Sequence, residues 1–433
     1  MAQVNHEFTA FSGQTARACG IDFGTSNSTV AWLRPASEHL LLLEQGKPTL
    51  PSAIFFNSDE DSTSFGRQAI HEYLEGYEGR LMRSLKSLLG SSLIDGQTEV
   101  QGKVLSFRAL LQAFLAELKR RAELAAARQF DTAVFGRPVF FVDDDASADA
   151  KAQQTLAELA QAVGFKEVSF QFEPIAAAFH YEMSLSQEKL VLVADIGGGT
   201  SDFSITRLSP ERAQASERQS DVLANAGVHI GGTDFDKYLS LAQVMPAFGY
   251  RSLLRSGAEL PSSYYFNLAT WHTINSTYTR KVWQELQDVS RDALDREGMT
   301  RLLRLIEERA GHWLAFCTEH AKIAICTEQA HTLDLSRIAP GLQLALNRQN
   351  FDAAVQGPVA EVAATVARLL QDAQIQVDQI DTVFVTGGSS GIPLLRQQLA
   401  TILPDAEMVE GDLFGSIGAG LAIEAWRRYG VLA

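Results

Sequence analysis

The chain has 433 residues, of which 46% are hydrophobic and 21% charged, with a formal net charge of -15 and a pI near 5.1. Its length exceeds the roughly 250–300 residues at which one core stops growing, so at least two units are expected, and the composition excludes long disordered stretches. The acidic balance, with no run of Lys and Arg to offset it, excludes nucleic acid as a partner but leaves room for a small anion held by backbone N–H groups. Met1 to Arg17 holds no continuous apolar stretch and is expected to be an extended or disordered segment. No other stretch approaches roughly eighteen apolar residues, so no membrane partner is expected and a cytoplasmic location is the default. Cys19, Cys317 and Cys326 have no metal-ligand spacing and read as reduced thiols.

In chain order, the first strong signal is Ala18-Cys19-Gly20-Ile21-Asp22-Phe23-Gly24-Thr25-Ser26-Asn27-Ser28-Thr29-Val30-Ala31-Trp32, which reads as strand, Gly-containing tight turn, strand. Apolar residues at three-and-four spacing predict helices over Phe107–Arg128 and Ala146–Val163, the second stopping before Gly164. Between them Thr132–Val142 reads as a strand, interrupted by Gly136 and Pro138 at a sheet edge or bulge. A second hairpin follows, Val191-Leu192-Val193-Ala194-Asp195-Ile196-Gly197-Gly198-Gly199-Thr200-Ser201-Asp202-Phe203-Ser204-Ile205. Met245–Arg296 is less regular and reads as an elaborated helical subdomain. Arg301–Cys326 is predicted as one long helix, Phe351–Ala373 as another, and Ile380–Thr386 as a buried strand ending in Gly387-Gly388-Ser389-Ser390-Gly391. A last helix is expected over Ile417–Arg428. Strand and helix alternate as in α/β layers, and no linker divides the chain, so two lobes that exchange chain more than once are expected.

A strand that ends in Asp and turns through Gly-Thr-Ser places N–H groups and hydroxyls around an oxyanion, with the carboxylate held ready for a metal-bound water. One such segment alone reads equally well as an ordinary hairpin. Two in one chain, repeating Asp, Gly and Thr in the same order, favour a phosphate site. On the residues alone, Lys86 reads as a solvated helix residue and Glu173, before Pro174, as a helix N-terminal cap. His229 and His320 belong to no cluster with ligand spacing, and no Ser-His-Asp order or redox Cys pair is present.

The ordered set resembles the actin-like ATPase superfamily and, within it, the DnaK-type heat-shock chaperones. Phe172-Glu173-Pro174-Ile175-Ala176-Ala177-Ala178 resembles the connecting segment of that branch, Val228–Asp236 its second-lobe Gly-Gly segment, and Val383–Pro393 its adenosine loop. The resemblance spans about Ala18 to Trp426, and in particular the chain resembles the short YegD-type members that stop after the nucleotide-binding part. It implies an α/β fold of the actin-like ATPase type, with two lobes built on a duplicated ribonuclease H-like core around a central nucleotide cleft. Lobe I would cover 18–189 and lobe II 190–433, with a helical subdomain at about 229–330 and no substrate-binding domain.

The resemblance further implies ATP or ADP with Mg2+, and K+ as an additional candidate ion. Asp22 and Asp195 would orient the water shell of the magnesium ion, with Asp202 nearby. Gly24, Thr25, Ser26 and Asn27 in the first loop, and Gly197, Gly198, Gly199 and Thr200 in the second, would meet the phosphates. Lys86 would touch the γ-phosphate and Glu173 would stand near the attacking water, completing a catalytic set of Lys86, Glu173, Asp195 and Thr200. Gly231, Gly232, Glu319, Lys322, Ile323 and Cys326 would also bind the nucleotide, Glu319 and Lys322 reaching its ribose and phosphates, with Gly387, Gly388, Ser389, Gly391 and Asp412 opposite. Ile323 and Gly391 stand where the chaperones usually carry arginines around the adenine, so weaker affinity and looser base selectivity are expected. The implied function is a slowly hydrolysing nucleotide switch, chaperone-like or regulatory, read by a protein partner whose specificity lies in the Met245–Arg296 insertion. A sugar-type small-molecule kinase and an actin-like filament former are the alternatives.

Overall fold

The structure is a computed structural model describing residues 17–34, 39–142, 144–214, 218–411 and 415–430. Strands β1 (Ala18–Phe23), β2 (Asn27–Ala31) and β3 (Thr49–Pro51) run as an antiparallel meander. Strands β4 (Ala53–Asn57), β5 (Ser62–Phe65) and β6 (Gly79–Arg83) form a separate small sheet, and β7 (Gln97–Val100) and β8 (Lys103–Ser106) a hairpin. The chain then returns through β9 (Thr132–Arg137) and β10 (Glu167–Phe172), which join β1 in parallel to give the order β10-β9-β1-β2-β3.

A second five-stranded sheet repeats this plan. It contains β11 (Lys189–Ile196), β12 (Ser201–Leu208) and β13 (Val222–Val228), while β14 (Ala330–Asp334) and β15 (Gln343–Asn347) pair apart from it. Strands β16 (Thr382–Thr386) and β17 (Glu407–Glu410) complete the order β13-β12-β11-β16-β17. In both sheets the first strand is antiparallel to the second and parallel to the fourth. The fourth and fifth strands are also parallel, and the crossover between them is the helix Ala146–Ala162 in one sheet and Pro393–Ile402 in the other. The two expected hairpins are therefore the first two strands of two duplicated sheets, as the two-lobed actin-like fold requires.

Local differences from the sequence reading have identifiable causes. The strand expected over Thr132–Val142 ends at Arg137, because Pro138 has no N–H to continue the ladder. The helix expected over Arg301–Cys326 is two helices, Arg296–Glu307 and Gly311–Glu328. Arg309 takes a left-handed φ of 50°, and the Ala310 N–H closes the first helix on the Leu305 carbonyl at 2.9 Å. The next helix begins at Gly311, where a Cβ would lie 2.6 Å from the Tyr278 hydroxyl. Residues 245–296 are helical in short pieces, among them Ser263–Leu268 and Arg280–Asp292.

Two helices stitch the lobes together. Glu173–Glu182 follows β10 of the first sheet but packs on β11 and β12 of the second, while Ser416–Tyr429 follows the second sheet but packs on β1 and β9 of the first. They cross so closely that a Cβ on Gly420 would sit 1.7 Å from the Ala176 carbonyl oxygen, and one on Gly20 2.4 Å from the Leu421 backbone. Ala176, Ala177, Val191, Val193 and Leu421 form the apolar seam between the two larger cores. Among the described residues no helix is long and apolar enough to cross a membrane.

Candidate functional site

The turns of the two hairpins face each other across the cleft. A Cβ on Gly198 would lie 2.5 Å from the Ser26 hydroxyl, and one on Gly199 3.1 Å from the Thr25 hydroxyl, so the loops meet only because these positions carry no side chain. Gly24 is closed against its own turn, a Cβ there falling 2.1 Å from the Asn27 carbonyl oxygen. The third Gly-rich segment buttresses the second loop from behind. The Gly232 N–H donates to the Gly197 carbonyl at 3.0 Å and the Thr233 N–H to that of Gly198 at 2.8 Å, while a Cβ on Gly231 would stand 2.6 Å from the Gly199 nitrogen. Gly24, Thr25, Ser26, Asn27, Gly197, Gly198, Gly199 and Thr200 are thus brought together, each half-buried.

Beneath the loops, Lys86 Nζ donates to Glu173 Oε1 at 2.5 Å. Both residues are buried. Lys86 is therefore not a solvated helix residue, and Glu173 does not cap its helix, whose N-cap position is Phe172. Burial works against the Lys86 ammonium, but Glu173 and Asp22 outweigh it and hold the group above the usual lysine value.

Three aspartates close the floor. Asp22 ends β1 and is pushed up to about 7 by burial and by the neighbouring Glu173. Asp202, on β12, is raised to about 7 by burial and Glu173, against the hydrogen bonds it accepts from Thr200 and from the Val139 N–H at 2.7 Å. Asp195, on β11, is raised well above the usual carboxylate value by burial together with Glu173, Asp202 and Asp22. Asp195 Oδ1 and Asp202 Oδ2 are buried with no hydrogen-bond partner. Unpaired carboxylate oxygens enclosed this deeply need a cation or its water shell to satisfy them. Among the described residues no three acidic, histidine or cysteine side chains converge as a direct ligand set.

The far end of the cleft is built from side-chain pairs. Lys322 Nζ lies 2.8 Å from Asp236 Oδ1 and donates to the Gly232 carbonyl at 3.2 Å. Glu319, one turn earlier, accepts from Arg83 Nη1 at 3.0 Å, and the Arg83 guanidinium lies 4.3 Å over the Trp271 ring. Arg83 comes from the first lobe and Glu319 from the second, so the pair spans the mouth of the cleft. Tyr73 spans it again, donating to the Arg309 carbonyl at 2.9 Å.

On the opposite wall, a Cβ on Gly387 would fall 2.4 Å from Asp195 Oδ1, and the Ser389 hydroxyl faces Gly232. Gly388 is exposed beside them. Ile323 is 56% exposed, and a Cβ on Gly391 would meet nothing within 4 Å. Cys326 lies one turn beyond Lys322, its thiol pushed up by burial, and its carbonyl accepts from Arg348. Asp412 lies outside the described residues. Asp236 and Arg83 were not singled out from the sequence, although both lie in segments whose glycine and lysine were.

The fold and the site define a two-lobed protein of the actin-like ATPase type. The profile of the family described as Hsp70 protein matches residues 18–109, 95–247 and 303–422, and the chain belongs to that family. Similar proteins include a "Chaperone protein HscA homolog" of Pasteurella multocida (strain Pm70), 26% identical over 426 residues that cover 93% of this chain and 57% of that protein. A "Chaperone protein HscA homolog" of Methylobacillus flagellatus is 26% identical over 94% of this chain and 57% of its own length, and the "Chaperone protein HscA" of Shigella flexneri serotype 5b is 26% identical over 94% and 58%. The chain therefore spans somewhat under three fifths of the length of the curated relatives it matches.

Proposed function

We propose that the cleft binds ATP with Mg2+ and hydrolyses it slowly to ADP and phosphate, acting as a chaperone-like nucleotide switch. The observation that carries this reading is the buried Lys86–Glu173 pair, at 2.5 Å, set beneath two facing Gly loops. The unpartnered oxygens of Asp195 and Asp202 suit a hard, water-carrying cation, which when bound would neutralise phosphate charge. Asp22, Asp195 and Asp202 would hold its water shell.

The chain's own residues divide the remaining work. Backbone N–H groups of both loops and the hydroxyls of Thr25, Ser26 and Thr200 orient the phosphates. Lys86, kept charged, stabilises the negative charge on the transferring phosphoryl group, and Glu173 accepts from Lys86 with one oxygen while the other positions the attacking water. Glu319 and Lys322 address the ribose side. The base rests against Ile323 and the open space at Gly391, which favours modest affinity and loose selectivity.

Closure of the two lobes, taken as 18–189 and 190–433 with a helical subdomain near 229–330, would be the output read by a protein partner in the cytoplasm. The expected partner is a co-chaperone or client, and residues 245–296 offer the surface that would distinguish it. Titration calorimetry with Mg-ATP and Mg-ADP, with phosphate release followed in the same samples, tests the reading. Binding with slow release, abolished by Lys86→Ala and Thr200→Ala, is the expected result. No binding at millimolar nucleotide would overturn it.

A further inference from the structure

The cleft has a second opening below the phosphate loops. A cavity of 310 Å³ starts at Thr25, Lys86 and Thr200 and runs outward past Pro138 and Phe141 to Ser87 and His229. Lys86, Pro138 and Phe141 are buried along its inner part, whereas Ser87 and His229 are exposed at its rim. On the other side the mouth is bridged by Arg83–Glu319 and by Tyr73 on the Arg309 carbonyl. A nucleotide held between the Gly loops and the Glu319–Lys322 helix would lie between its own terminal phosphate and that mouth.

We infer that this cavity is the route by which inorganic phosphate leaves while ADP is still held. The inference rests on the ATPase reading. The terminal phosphate of bound ATP would lie at the inner end of the cavity, beside Lys86 and Thr200, so release this way requires neither the lobes to part nor ADP to leave first. Lys86 is already paired with Glu173, which limits its hold on the departing ion. Further out, Pro138, Phe141 and Val142 offer apolar side chains without donors. Side-chain donors return at Ser87, Ser91 and His229.

The test uses Ser87→Trp and Val142→Trp to fill the rim, with Ser87→Ala as control. Cleavage is measured by acid quench, phosphate release with a fluorescent phosphate sensor, and ADP release with a labelled nucleotide. Cleavage and ADP release should stay at the native rate while phosphate release slows by about tenfold or more in both Trp variants and in neither the control nor the native chain. Native phosphate release in folded Trp variants, shown by unchanged thermal unfolding, would overturn the exit but leave the ATPase reading standing. The native chain gives a second test that needs no variant, because ADP leaving before or together with phosphate also overturns it. Absence of cleavage in the native chain would remove both readings.

Discussion

The end of the cleft proposed for the phosphates and the end proposed for the nucleoside are built on different rules. At the first, backbone groups from three Gly-rich segments pack so closely that added methyl groups at Gly24, Gly198 and Gly231 would all fall within 2.6 Å of another atom. At the second stand side-chain pairs, Lys322–Asp236 and Arg83–Glu319, beside an exposed Ile323 and open space at Gly391. The first kind of site is fixed by geometry and tolerates little change. The second can be retuned one side chain at a time, and this chain's departures from its family resemblance fall there.

The largest effect expected from this contrast is chemical. Lys86→Ala should lower the rate of ATP cleavage by about 10²–10³-fold, the scale of removing one preorganised donor from a transition state, and single-turnover quench measures it. A loss under tenfold would mean that the phosphate end does not depend on that ammonium. A paired glycine substitution sharpens the same contrast. Gly231→Ala, which drives a methyl group onto the Gly199 backbone, should cost about 1–3 kcal/mol in urea unfolding, whereas Gly391→Ala should stay within about 0.5 kcal/mol of native. Equal costs would erase the distinction between the two ends.

The carboxylate floor adds a pH signature to the phosphate end, reaching higher than that of Asp236 at the other end, which burial pushes up to about 6 against the pull of Lys322. Asp202 rises on folding from 3.8 to about 7, so between those values the folded state binds its proton more tightly than the unfolded chain does. The nucleotide-free protein should therefore lose stability as pH rises from about 4 to 7, by at most about 1.4 kcal/mol per pH unit for this group, and level off above. Asp202→Asn should flatten that slope in urea titrations across the range, and parallel curves would contradict it. The smallest effect is at the nucleoside end. Ile323→Arg should tighten ATP binding by about 0.5–1 kcal/mol, the value for a cation stacked at an exposed site, as read by calorimetry.

Much of the phosphate end was legible because local chemistry specifies it. Asp22-Phe23-Gly24-Thr25 and Asp195-Ile196-Gly197-Gly198 carry their turn geometry and their acidic strand ends in neighbouring residues. The duplicated sheets followed from that repeat. Arg83, Asp236 and the Lys86–Glu173 pair were another matter, since each contact joins segments far apart in the chain and no spacing announces it; Lys86 and Glu173 were indicated only by resemblance. The break at Glu308-Arg309-Ala310 was invisible for a different reason. It contains neither Gly nor Pro, and the apolar periodicity continues through it while tertiary packing against Tyr278 fixes the corner.

The crossed helices have a consequence for how the protein comes to be made. Gly20, on the first described strand, is covered by Leu421 in the last described helix, which is made much later. The earliest sheet must wait, with one face uncovered, until nearly all of this sequence has emerged, so its completion is a long-range and late event. A nascent chain arrested before residue 416 would present that bare face to its surroundings, and a protein of a chaperone family would itself be a candidate for sheltering during its own synthesis.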